Sequence, residues 1–144
     1  MKKLLYQSLL IVITILPFTI ACNKDNTDIE VNLAYQFIAD KTWYLDYSQT
    51  INGSTASTRT FLGQPTYFIN YLKNLATTDS DGLIGVYEIA KTDSALQIRV
   101  QAKTNSGNPS AYTYEIESIG QKSMIMSYSR NNIKTRLFFS SQQK

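Results

Sequence analysis

Apolar and polar residues alternate through most of the second half of the chain, the pattern of strands that are buried on one face. In residues 95–103 every second residue is apolar, beginning at Leu96. The Gly120-Gln121 and Asn131-Asn132 pairs favour tight turns. Five successive strands with short connections predict an antiparallel meander that forms a small barrel or a strongly curled sheet. The strands are expected at residues 83–90, 95–103, 111–119, 123–129 and 133–140.

The preceding segment has a more mixed pattern. Residues 29–39 have apolar positions at spacings of three and four, which predicts a short helix capped by Asp28. Residues 42–51 alternate as a strand, with Trp43, Leu45 and Tyr47 expected on the same face. A weaker strand is expected at residues 59–62 and a polar loop at 77–82. Residues 66–75 fit a helix and a strand equally well.

The amino-terminal segment has the pattern of an export signal. Lys2 and Lys3 precede an uncharged apolar stretch, residues 4–20, and the small residue Ala21 stands directly before Cys22, the single cysteine of the chain. This arrangement resembles the lipobox of bacterial lipoproteins. The resemblance implies cleavage before Cys22, attachment of diacylglycerol to its thiol, and further acylation with chains such as palmitate. The protein is therefore expected to be held at a membrane through Cys22.

The resemblance also suggests a division of the chain and an address. We expect a signal peptide at 1–21, a lipidated tether at 22–29 and one β domain at 30–144. Asn23 is not the aspartate that retains enterobacterial lipoproteins at the inner membrane, so the outer membrane is the expected location, on either its periplasmic or its outer face. A secreted protein and an uncleaved anchor are the alternatives, but residues 4–20 are short for a membrane span and contain Pro17.

Composition narrows the possible functions. The chain has no histidine, which removes His-based metal sites and Ser-His-Asp triads. Cleavage would leave 12 basic and 11 acidic side chains, a net charge of +1, so nucleic acid is not an expected partner. With Cys22 acylated, no disulfide is possible. We therefore expect a non-catalytic protein without metal or cofactor.

Trp43 in the first strand, the run Gly85-Val86-Tyr87-Glu88-Ile89 and the following Leu96-Gln97-Ile98 resemble the lipocalin-like domains of Bacteroidota lipoproteins. The resemblance covers most of residues 35–140, although the usual Gly-x-Trp is absent because Lys41 and Thr42 precede Trp43. It implies a barrel whose interior holds a small apolar ligand. The alternation of the strands turns five large side chains inward, and these are the expected ligand-binding residues: Tyr47, Tyr112, Tyr114, Met126 and Tyr128.

Three alternatives depend on particular side chains. A solidly packed interior would make the domain a structural or interaction module, with Ile125 and Phe138 facing a partner such as a membrane protein. Residues 77–88 have the acidic spacing of a calcium loop except at its first position, but a solvated turn is the simpler interpretation. Glu115 and Glu117 lie on one face of a strand at a spacing that a glycosidase could use, on the face opposite the tyrosines.

Overall fold

The structure is a computed structural model that describes residues 24–63, 67–103 and 110–142. The expected signal peptide and Cys22 lie outside these residues. The described part contains one helix and nine strands: α1 (Lys24–Ile38), β1 (Lys41–Asn52), β2 (Thr55–Thr60), β3 (Phe68–Tyr71), β4 (Ala76–Asp79), β5 (Ile84–Lys91), β6 (Leu96–Lys103), β7 (Ser110–Ile119), β8 (Ser123–Arg130) and β9 (Ile133–Ser140).

The strands form a closed antiparallel barrel, and β1 is the strand that closes it. Its first residues pair with β3, its later residues pair with β2 on the same edge, and its other edge pairs with β9. From β3 to β9 each strand pairs with the next one along the chain. Eight strands therefore complete the barrel, while β2 extends beyond it as one half of a hairpin. The predicted mainly β barrel with a short N-terminal helix is confirmed.

Two bulges change the direction of side chains within long strands. In β1 the pairing with β9 shifts between Leu45 and Tyr47, and in β7 the pairing with β8 shifts between Ile116 and Ser118. Each bulge therefore inserts one acidic residue, Asp46 or Glu117. In a regular strand, residues two apart lie on the same face. Because a bulge adds one residue, Leu45 and Tyr47, which flank the bulge in β1, lie on opposite faces.

The helix closes one end of the barrel, which we call the helix end. Ala34 and Ile38 of α1 are buried, and the carbonyl oxygen of Ile38 accepts a hydrogen bond from Trp43 Nε1 at 3.1 Å. Ile38 joins one continuous core with Trp43, Tyr71, Met124 and other inward side chains of the strands. Every one of these described core residues lies between positions 38 and 139.

The details before β5 differ from the expectations. The ambiguous segment 66–75 contains β3, a strand, and β4 (Ala76–Asp79) includes residues 77–79 of the expected loop at 77–82. The sequence conceals β4 because its four residues are mostly polar; Thr77 is nevertheless fully buried, and its hydroxyl donates to the Asn70 carbonyl at 3.0 Å. The helix begins at Lys24, within the expected tether and ahead of Asp28, so Asp28 does not cap it.

Candidate ligand-binding cleft

The barrel wall is split between β7 and β8. Backbone pairing of these two strands ends at Glu115 and Ser127. Beyond this pair, residues 110–114 continue to pair with β6 and residues 128–130 continue to pair with β9. Within the described residues, no backbone pair joins the two segments to each other. Each segment therefore has one bonded edge and one free edge, and the free edges face the gap.

A cleft of about 500 Å³ lies at this split. Consecutive residues of both free edges line it, as expected where strands separate and expose their backbone as well as their side chains. Tyr67 and Leu137, which also pack against the core, form its inner part. Among the described residues, the lining consists of Tyr67, Ala111, Tyr112, Thr113, Tyr114, Tyr128, Ser129, Arg130 and Leu137. The volume lies in the range of small-molecule sites, which is about 300 to 1,000 Å³.

The structure brings together three of the five side chains expected to bind a ligand. Tyr112, Tyr114 and Tyr128 line the cleft, and the rings of the last two meet edge to face with centroids 5.8 Å apart. Met126 faces inward as expected but is 2% exposed in the packed core, away from the cleft lining. The expectation that Tyr47 faces inward is wrong.

The bulge at Asp46 explains the position of Tyr47. It turns Tyr47 to the outer face, where its ring stacks on Phe138 with centroids 4.2 Å apart. Phe138 in β9 pairs with Ile125 in β8, and both lie on the outer face of the sheet. Their chain neighbours Met124 and Phe139 face inward. The two residues proposed from the sequence as a partner surface are thus neighbours on the outer wall, and Tyr47 adds a third apolar side chain.

Several tyrosine hydroxyls gather at the inner side of the cleft. Tyr67 donates a hydrogen bond to Asp79 Oδ2 at 2.9 Å. Burial, followed by the Asp79 charge, raises the pKa of Tyr67, and burial also raises the pKa of Tyr114. Tyr71 is completely buried, and its hydroxyl has no hydrogen-bond partner among the described residues. Burial and then the neighbouring Tyr114 and Tyr67 raise the pKa of Tyr71, so all three phenols are neutral near pH 7.

Of the lining residues that the structure describes, Arg130 is the one with a charged side chain. It ends β8 next to a tight turn, where Asn131 and Asn132 both have positive φ. Its backbone pairs with Ile133. No ion pair involves Arg130 among the residues that the structure describes, whereas Lys134 and Arg136 on β9 both contact Glu117. The cleft therefore combines aromatic walls with a cation.

A second groove lies at the helix end and has a volume of about 520 Å³. Asp40, Lys41, Gln121 and Lys122 contribute to its largely polar lining. The Lys41 ammonium donates to the Gln121 carbonyl at 3.0 Å and lies 5.6 Å from the centre of the Trp43 ring. Because Lys41 is already engaged and the groove offers little aromatic surface, the cleft between β7 and β8 is the stronger candidate.

Of the two carboxylates considered from the sequence, Glu117 contacts two cations, whereas Glu115 is exposed. Glu117 Oε1 lies 2.6 Å from Lys134 Nζ, and Glu117 Oε2 lies 2.8 Å from Arg136 Nε. Burial would raise the pKa of Glu117, but the hydrogen bonds and charges of these two cations lower it overall. Glu117 therefore ties β7 to β9 on the outer wall.

The segment considered as a calcium loop is divided between two paired strands. Thr77 is buried in β4, and Glu88 in β5 forms an ion pair with Arg99 at 3.2 Å. Asp79 Oδ1 accepts hydrogen bonds from the backbone amides of Asp81 and Leu83, which makes residues 79–83 a self-bonded turn. Over the described ranges, no group of three acidic, cysteine or histidine side chains is placed to hold a metal ion.

Sequence reasoning missed Tyr67 and Arg130. Arg130 could have been predicted from the sequence, because the alternation that turns Met124, Met126 and Tyr128 inward reaches Arg130 two residues later. Tyr67 gave no such signal, since it precedes a strand whose existence the sequence left open.

Among the described residues, no helix is long and apolar enough to cross a membrane. Comparison of the chain with protein-family models, with curated proteins and with solved structures gives no match.

Proposed function

We propose that this chain is a non-catalytic, lipid-anchored lipoprotein of the outer membrane whose barrel binds a small apolar or amphipathic ligand. The cleft of about 500 Å³ at the split between β7 and β8 is the observation that carries the binding proposal. Tyr112, Tyr114 and Tyr128 supply flat apolar surface with polar tips, the kind of lining that orients small organic molecules. The free backbone edges add hydrogen-bonding groups that a ligand can satisfy.

The distribution of packing within the barrel supports a site at the split between β7 and β8 rather than in the interior near the helix end. Trp43, Met124 and Ile38 fill the interior near the helix end and are fully buried. Tyr112 and Tyr128 are 44% and 39% exposed although they are large aromatic residues. Exposed aromatic surface in a concave site is a cost to the isolated protein that a bound ligand removes. A packed interior near the helix end and an aromatic cleft at the split are thus consistent with a small ligand.

The membrane anchor is proposed from the lipobox resemblance and from the use of cysteine. Cys22 is the only cysteine in 144 residues and follows the apolar segment and Ala21 directly. Two or more acyl chains hold a protein stably at a bilayer, whereas one chain holds it only marginally. Two features support the outer membrane as the site of anchoring: the lipocalin-like resemblance, and Asn23 in place of the aspartate that retains enterobacterial lipoproteins at the inner membrane.

A protein-interaction module is the second candidate function. Tyr47, Ile125 and Phe138 form an apolar group on the outer wall, with Tyr47 stacked on Phe138 and Phe138 paired with Ile125. A membrane protein partner at this group would cover the exposed Tyr47 ring and the half-buried Ile125 and Phe138. We rank it second because the group consists of three side chains on the outer wall, whereas the cleft is a concavity of about 500 Å³ with aromatic walls.

Binding can be tested with the neutral fluorescent probe N-phenyl-1-naphthylamine and a fragment of residues 24–144, which contains every core residue that the structure describes. We expect Tyr114→Trp, which fills the cleft, to weaken binding at least tenfold. Tyr47→Trp adds the same volume on the outer wall and should leave binding unchanged. Circular dichroism would show that both variants are folded. Equal binding by wild type and Tyr114→Trp, or no binding by the wild type, would remove the cleft as the site.

The anchor has a separate test in the full chain. In an enterobacterial host supplied with labelled palmitate, we expect the label on the wild-type protein and its loss in Cys22→Ser, which should also leave the membrane fraction. Asn23→Asp should keep the label but shift the protein to the inner membrane. Retention of the label by Cys22→Ser would reject acylation at this residue.

A further inference from the structure

We infer that the ligand of the cleft is a small organic anion with a flat apolar body, and that Arg130 binds its negatively charged head group at the mouth. This inference rests on the proposed binding function and deepens it by naming the class of ligand. It follows from the position of Arg130, from the state of the other charged groups near the cleft, and from the neutral hydroxyls along the walls.

The position of Arg130 suits a head group at the entrance. Met126, Tyr128 and Arg130 follow one another on the inward face of β8, from the packed core to the end of the strand. Arg130 lines the cleft, and its exposure keeps the guanidinium in contact with water at the rim. A ligand whose body lies against Tyr128 would therefore extend its outer end towards Arg130.

Arg130 is also free to accept an anion. The other cations of the neighbouring outer wall are engaged, since Lys134 and Arg136 contact Glu117 and Arg99 contacts Glu88. The structure shows no ion pair for Arg130 within its described ranges. A guanidinium presents a planar set of donors that matches a carboxylate or sulfonate, which makes the head-group contact directional as well as electrostatic.

The negative charge closest to the tyrosines does not oppose this arrangement. The Asp79 carboxylate accepts hydrogen bonds from the Tyr67 hydroxyl and from the backbone amides of Asp81 and Leu83, and it lies outside the described lining of the cleft. Burial raises the pKa values of Tyr67 and Tyr114, so both phenols stay neutral; the Tyr67 hydroxyl already donates to Asp79, which leaves the Tyr114 hydroxyl to donate to a ligand. A body with an acceptor oxygen or nitrogen can therefore bond to the walls without meeting a phenolate.

A matched pair of probes tests the inference. The anionic probe 8-anilinonaphthalene-1-sulfonate and the neutral N-phenyl-1-naphthylamine share their ring system and differ in the sulfonate. With residues 24–144, we expect Arg130→Gln to weaken the anionic probe about tenfold and to leave the neutral probe unchanged, as loss of one charge-assisted contact predicts. Arg130→Lys, which keeps the charge but not the planar set of donors, should recover part of the affinity. Arg99→Gln, which removes a cation from the outer wall, should affect neither probe.

Ionic strength gives a second readout. Raising the salt concentration should weaken the anionic probe for the wild type and have little effect for Arg130→Gln, because salt screens an exposed charge. If Arg130→Gln weakens both probes equally, or neither, the head-group role of Arg130 is wrong while the cleft remains a binding site. If neither probe responds to Tyr114→Trp, the binding function itself fails, and the inference fails with it.

Discussion

Tyr114 and Tyr128 meet edge to face, with ring centroids 5.8 Å apart and an interplanar angle of 83°, one residue beyond the last backbone pair between their strands. Edge-to-face packing of two aromatic rings contributes about 0.5 to 1.5 kcal/mol. Side-chain contact thus replaces backbone hydrogen bonds at the point where β7 and β8 separate. The split is therefore a supported feature of the barrel wall, with its inner end closed by two rings.

The free edges of the split should be visible in amide hydrogen exchange. In residues 110–114 and 128–130, alternate amides point to the bonded neighbour strand and should be protected, while the others point to the gap and should exchange rapidly. Residues 115–119 give the comparison, because there β7 is paired with β8 as well as lying beyond the gap. Uniform protection throughout 110–114, measured by NMR, would contradict the split.

Two buried tyrosines in edge contact should respond in opposite ways to loss of their hydroxyls. Tyr71 and Tyr87 have ring centroids 4.9 Å apart, but among the described residues only the Tyr87 hydroxyl has an acceptor, the Leu72 carbonyl at 3.0 Å. We expect Tyr87→Phe to lower the free energy of unfolding by about 1 kcal/mol and Tyr71→Phe to leave it unchanged or raise it. Urea unfolding followed by the fluorescence of Trp43 would measure both. Equal losses would indicate a partner for the Tyr71 hydroxyl.

Glu117 should make stability depend on pH. Its pKa is lower in the folded protein than the ordinary value of 4.5, so its contribution is present above that value and is lost as the pH falls through the folded pKa. We expect Glu117→Gln to cost about 1 kcal/mol at pH 7, because contacts with two partly exposed cations are removed. The difference from wild type should shrink below pH 4.5. Glu115→Gln, which removes an exposed carboxylate of the same strand, is the control. A constant difference from pH 7 to pH 3 would exclude an electrostatic origin.

Gly85 should tolerate no side chain. It is buried in β5, and a Cβ placed on it would overlap the carbonyl oxygen of Gln101 in the paired strand β6. Because backbone atoms cannot move aside without disturbing the ladder, we expect Gly85→Ala to lower the free energy of unfolding by about 2 kcal/mol or more. Gly120→Ala is the matched control, since its nearest neighbouring atom would be 3.9 Å away. Similar thermal unfolding of the two variants would contradict this contact.

The candidate site was only partly accessible from the sequence. Tyr112, Tyr114 and Tyr128 follow from alternation in β7 and β8, because these segments precede or avoid the bulge. Tyr47 was misplaced, since the bulge at Asp46 depends on pairing with β9, a strand almost 90 residues away in the chain. The gap itself depends on where two strands stop pairing, and neither strand changes its local pattern there.

The sequence by itself determined the strands from β5 to β9, their tight turns and the identity of most inward side chains, because period-two alternation and turn residues are local properties. It also contains the export pattern that ends at Cys22. Only the tertiary structure decided that β1 closes the barrel by pairing with β3 and β9, that the polar segment 76–79 is a strand, and that β7 and β8 part to leave a cleft beside Arg130. These features depend on contacts between distant residues, whose hydrogen bonds and packing outweigh local preference.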